Sequence, residues 1–206
     1  MKLLAKTKNY KSGPKPWLTI ILCVGSLLLF LVQGAAPDAL VYNRQALGQG
    51  EIWRLLTGHF VHCDLAHLGW NLAALLILGG LLEQWMGTRL LGVVAMSCIG
   101  VSSWLWFVKV DLLLYCGLSG MLNGLLAVLL AILWQESRHP ALPLVAVSVL
   151  LKIIIEAMSG QALFTDLSWV SVPGAHGAGL AAGVIYLAYN SASRGKSLQN
   201  LIFNRL

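Results

Sequence analysis

Charge is scarce in this sequence. Only 11% of its 206 residues are Asp, Glu, Lys or Arg, where a soluble domain carries roughly 25%, so a water-facing globule is excluded. No internal repeat and no low-complexity segment stands out, which weighs against a transporter built from two related halves. No His-Glu-x-x-His run occurs, and Cys23, Cys63, Cys98 and Cys116 match no metal-ligand spacing, so a metal-dependent hydrolase finds no support.

What is present is apolar. Mean hydropathy is +0.77, and the hydrophobic residues fall into runs close to the length of a helix that crosses a bilayer, about 20 residues. Spans are expected at residues 17–32, 65–85, 90–107, 118–134, 142–158 and 175–189. The expected architecture is therefore an all-α membrane protein with a six-helix bundle over residues 17–190, a basic head at 1–16 and a tail at 191–206.

Basic residues orient such a bundle, because Lys and Arg stay on the cytoplasmic side. With the N-terminus inside, that side collects Lys2, Lys6, Lys8, Lys11, Lys15, Arg89, Arg138, Arg194, Lys196 and Arg205, and the other side only Arg44, Arg54 and Lys109. Both termini are then cytoplasmic. The pI near 9.3 reflects topology and attraction to anionic lipid, and gives no case for nucleic acid. The first span also has features of a signal peptide, with Gly34, Ala35 and Ala36 near a cleavage-like point; the expectation is an uncleaved helix. Leu198, Leu201, Ile202 and Leu206 could form a short interfacial helix.

Polar residues inside spans are expensive and mark function or pairing. Here they form three sets. His59, His62, His67 and Asn71 run into the second span, with His67 and Asn71 on one helical face. Gly117, Leu118, Ser119 and Gly120 open the fourth span, and His176 opens the sixth. All three sets lie near the same outer surface, which places a Ser and a His at matching depth, the parts of a nucleophile and its base. Gly120 and Gly124 on one span and Gly179 and Gly183 on the other would let the two backbones approach closely. Taken singly, each motif has an ordinary packing explanation.

As an ordered set, Trp53, Arg54, His62, His67, Asn71, Gly117, Leu118, Ser119, Gly120, Ala175, His176, Gly179 and Gly183 resemble the rhomboid family of intramembrane serine proteases, over roughly residues 51–190. The resemblance implies that Ser119 attacks the scissile carbonyl, that His176 carries the proton, and that the Ser119 N–H, His67 and Asn71 form the oxyanion hole. It implies no cofactor and no metal, and membrane-anchored proteins as substrates. Trp53 and Arg54 resemble a structural loop motif, and Asp64 fits an N-cap, with His59 solvated or capping. Where most rhomboids place an aromatic residue this chain has Asn123, which could orient His176 or serve only helix packing. The stretch from Glu51 to Asn71, the polar residue at 123 and the absence of an added domain look most like the rhombosortase subgroup. That subgroup is associated with bacterial proteins ending in Gly-Gly, an apolar helix and a basic tail, and implies an inner-membrane enzyme facing the periplasm.

Cys63 and Cys116 adjoin the expected site, so a disulfide between them is one option. Lys152 and Glu156, four residues apart, read as a mutually neutralising pair, with a role at a substrate gate as the alternative. Beside a general rhomboid protease with other single-span substrates, three rival functions stay open: a metal- or haem-binding membrane protein using several of His59, His62, His67 and His176, a transporter built on Lys152 and Glu156, and an inactive rhomboid that only binds.

Overall fold

Apolar runs become helices because in lipid each backbone N–H and C=O must be satisfied within its own segment. The computed structural model describes residues 15–160, 163 and 172–194. In chain order its elements are α1 (Trp17–Gln33), β1 (Tyr42–Asn43), α2 (Arg44–Gly48), α3 (Arg54–Thr57), α4 (Leu65–Met86), α5 (Leu90–Phe107), β2 (Leu114–Tyr115), α6 (Ser119–Ser137), α7 (Ala141–Ser159) and α8 (Pro173–Arg194). Each expected span corresponds to a long helix. The sixth is longer than expected and takes in the first residues assigned to the tail. Lys2, Lys6, Lys8 and Lys11, and the positions Leu198, Leu201, Ile202 and Leu206, lie outside the described residues.

Three described stretches are long and apolar enough to cross a bilayer: Leu65–Phe107, Ser119–Ser137 and Ala141–Ser159. The first, of 43 residues, contains both α4 and α5, joined through the 3-10 turn Gly87–Arg89. The apolar α1 is shorter, at 17 residues.

The core gathers around α6. Leu118, which precedes α6, and Met121, Leu125 and Val128 of α6 are fully enclosed with Leu75 and Leu82 of α4 and Val93 of α5. Against its other side lies α8, and the glycines set that approach. A Cβ placed on Gly179 would overlap the carbonyl oxygen of Gly120, and one on Gly183 would sit 2.5 Å from that of Gly124. Helix α7 behaves differently: Leu144, Val147, Leu150, Ile154 and Met158 are exposed, and the residue it buries is Glu156.

Sequence reasoning missed Glu83. This carboxylate near the end of α4 is buried and accepts from Leu18 N, Thr19 N and Thr19 Oγ1, each at 2.8 Å. It satisfies N–H groups that the first turn of α1 leaves open, at the end where a helix favours negative charge. The start of α1 is thus fastened to the end of α4.

The segment between α1 and α4 is held by polar contacts to its own backbone. Arg54, 6% exposed, pairs with Glu51 at 2.6 Å and donates to the carbonyls of Asp38 and Val41. Trp53 Nε1 donates to Ala39 O at 3.1 Å. Strands β1 and β2 pair antiparallel, Tyr42 facing Tyr115 and Asn43 facing Leu114, and Gly117 N donates to Gly58 O at 2.9 Å. These bonds bring the His-bearing segment against the start of α6.

Candidate active site

Two helix starts define the site. The chain leaves β2 and turns at Gly117, whose φ of +114° lies in the region that glycine alone adopts readily, and α6 begins at Ser119. Pro173 opens α8, where its fixed φ suits the first helical turn and its missing N–H is no loss. His176 follows in that first turn. Close packing of α6 on α8 then brings His176 Nε2 to 3.0 Å from Ser119 Oγ. Both residues are half-buried.

His67 and Asn71 converge on the same point. A Cβ on Gly117 would sit 2.6 Å from His67 Nε2 and 3.5 Å from Asn71 Nδ2, so only a glycine leaves room for both side chains beside the Ser119 turn. Asn71 Nδ2 is buried without a hydrogen-bond acceptor. An orphaned buried donor costs about 1 to 3 kcal/mol, and this one lies beside the turn that precedes Ser119. Asp64 caps α4, its Oδ1 accepting from His67 N at 2.7 Å, which fixes the turn that carries His67. On the ring, His67 Nδ1 lies 3.1 Å from Cys63 Sγ.

His62 packs edge-on against His67 with ring centroids 5.0 Å apart, and both of its ring nitrogens are buried without hydrogen-bond partners. Burial pushes its pKa down to about 3, and the neighbouring His67 adds to the effect; His62 is a neutral spacer beneath the site.

One expectation is corrected. His59 is not solvated: it is 1% exposed, its Nε2 contacts Ser102 Oγ at 2.9 Å, and Ser102 Oγ donates to Leu55 O at 2.6 Å. It ties the α1–α4 segment to α5 and stands edge-on to Tyr115, ring centroids 5.7 Å apart. Asn123 turns its amide donor to its own helix, Nδ2 donating to Ser119 O at 2.8 Å, rather than to His176. The group facing the far side of the imidazole is Glu156, whose Oε2 is 3.6 Å from His176 Nδ1.

Cys63 and Cys116 stand as free thiols, and their sulfurs lie with a His67 ring nitrogen inside 4.8 Å of one another. No linear spacing announces this trio; the fold assembles it from two segments. It supplies three of the four donors a tetrahedral zinc ion takes.

The arrangement places a hydroxyl, an imidazole and orphaned donors at one half-buried spot beside helix N-termini. The family model of the Rhomboid domain matches residues 49–193. The chain belongs to the rhomboid family. It is 26% identical over 205 residues to Rhomboid protease GlpG of Yersinia pestis (strain Pestoides F), covering 94% of this chain and 69% of that protein. Identity to Rhomboid protease GlpG of Yersinia pseudotuberculosis serotype I (strain IP32953) is 27% over the same length and coverage. The human Rhomboid-related protein 3 is 28% identical over 109 residues, 46% of this chain and 26% of that protein. This rhomboid is an integral membrane protein and an intramembrane serine protease.

Proposed function

We propose that this rhomboid protease cuts its substrates with Ser119 as nucleophile and His176 as general base, and the observation that carries the reading is the 3.0 Å contact between them. His176 Nε2 takes the hydroxyl proton as Ser119 Oγ attacks the scissile carbonyl, then returns it to the leaving amine. The developing oxyanion is received by the Ser119 N–H, Asn71 Nδ2 and the His67 ring. Donors already in place in a site of low dielectric need no reorganisation as charge develops, and each is worth about 3 to 4 kcal/mol. Gly117 and Gly120 shape the turn, Gly179 and Gly183 admit α6, and His62 and Asn123 hold the surrounding frame.

The six long helices cross the membrane in this reading, with both termini cytoplasmic and the site opening to the periplasm of a bacterial inner membrane. Supporting it, the ends bearing Ser119, His67 and His176 sit together, and the Lys and Arg residues favour the opposite side. The substrate class proposed is the membrane-anchored protein ending in Gly-Gly, an apolar helix and a basic tail, on the resemblance to rhombosortases. Glycines beside a membrane helix unwind readily, which suits entry into a narrow site. Cys63 and Cys116 form a pair that closes as a disulfide in an oxidising compartment.

The test is a reporter with that C-terminal signal, co-expressed with the native protein, Ser119→Ala or His176→Ala. Release by the native chain alone is the expected result. Equal cleavage of a reporter whose Gly-Gly is replaced by Leu-Leu would return the enzyme to a general rhomboid protease.

A further inference from the structure

We propose that Glu156 is a positioning residue that completes a Ser119–His176–Glu156 triad, a deepening of the Ser119–His176 reading on which it rests. For Nε2 to accept the Ser119 proton, the neutral imidazole must carry its hydrogen on Nδ1, and that hydrogen needs an acceptor. Glu156 Oε2 faces Nδ1 at 3.6 Å. That separation is an electrostatic contact longer than a formed hydrogen bond, of the kind that tightens when substrate closes the site.

The two carboxylate oxygens are used differently. Oε1 accepts from Lys152 Nζ at 2.6 Å and from Leu163 N at 2.8 Å, which fixes the side chain and joins α7 to the segment that follows it. Oε2 is buried with no hydrogen bond of its own. A simple ion pair with Lys152 leaves that orphaned oxygen unexplained, since among the described residues Lys152 bonds to Oε1. The surroundings sharpen the contrast. Helix α7 exposes most of its length, and the residue it buries is this carboxylate, 1% exposed. Lys152 Nζ pairs with the carboxylate on one side, and its other oxygen can steady the imidazolium that forms as Ser119 loses its proton.

The experiment measures the rate constant for phosphonylation of Ser119 by a fluorophosphonate in intact membranes, together with kcat and KM on a reporter. A rate constant is a property of each folded molecule, so a smaller folded fraction lowers only the amplitude. Glu156→Gln is expected to slow labelling and kcat on the order of 30-fold at unchanged KM, less than the about 10⁴-fold cost of disabling a fully bonded triad aspartate. The double variant Lys152→Met/Glu156→Gln removes both charges and leaves no unpaired ion. It is expected to unfold at a higher temperature than Glu156→Gln yet to remain as slow. Recovery of the native rate constant in the double variant, or a native rate constant in Glu156→Gln, would reduce Glu156 to the counter-ion of Lys152 and overturn the proposal. A native protein whose Ser119 does not label at all would instead refute the reading of Ser119 as nucleophile.

Discussion

The ring of His176 meets the hydroxyl of Ser119 at 3.0 Å across 57 residues of sequence, and each side chain stands in the first turn of its own helix. What permits the contact is the absence of side chains at Gly120, Gly124, Gly179 and Gly183, where backbone meets backbone. The chemistry of the site is therefore tied to helix packing a turn or two below it.

Gly179→Val tests that tie. Its side chain would be driven into the Gly120 carbonyl, and overpacking costs typically 1 to 3 kcal/mol. The expected outcome is a lower unfolding temperature in detergent and loss of cleavage, whereas the neighbouring Gly177→Ala, which meets nothing within 4 Å, retains both. Normal activity in Gly179→Val would mean that α6 and α8 do not need this approach.

Asn71→Ala removes a buried donor that is unsatisfied before substrate binds. It should lower kcat by about 10²- to 10³-fold with little change in KM, because the donor is engaged fully only when the oxyanion forms. Thermal stability should stay level or rise. An effect confined to KM would assign Asn71 to ground-state binding instead.

For the cysteines, the Cys116 thiol beside Cys63, aided by His67, holds the Cys63 pKa below that of an ordinary thiol. The thiolate is the attacking species in disulfide formation. Closure of Cys63 onto Cys116 under a mild oxidant should thus speed up with rising pH and level off at a lower pH than for an ordinary thiol, which keeps accelerating past pH 8.5 or so. Mass spectrometry should find the loss of two hydrogens within one chain, absent in Cys116→Ser. Four reactive thiols after oxidation would contradict the pairing.

Replacing Glu83 with Gln leaves shape intact but removes the charge that three donors of α1 share. The expected cost is about 2 kcal/mol of folding stability, seen as a lower unfolding temperature. The rate constant for labelling of Ser119 should be unaffected, since this cap lies at the opposite end of α4 from His67 and Asn71.

The long helices and the Ser119–His176 pairing were legible in the sequence because both follow from spacing: apolar run length, a shared depth, glycines four apart. The Asp64 cap was legible for the same local reason. Glu83, Glu156 and the Cys63–His67–Cys116 trio were not, because each draws its partners from helices or segments remote in sequence, and no pattern along one strand of chain encodes which side chain faces which. Glu156 showed itself as the partner of Lys152, a true local contact that concealed the second oxygen. His59 was misjudged because a histidine between helices looks solvated until the segment is seen folded under α5. For Asn123 the sequence left two readings open, orientation of His176 and packing within its helix: an amide four residues along a helix can bond to its own backbone, and here it does.

The most direct measurement is the location of the covalent adduct after fluorophosphonate treatment, by peptide mass spectrometry of native protein and His176→Ala. The predicted result is a single phosphonylated residue, Ser119, in the native chain, and labelling slowed by at least about 10²-fold in the variant. An adduct on a different serine, or equally rapid labelling without His176, would contradict the pairing of these two residues.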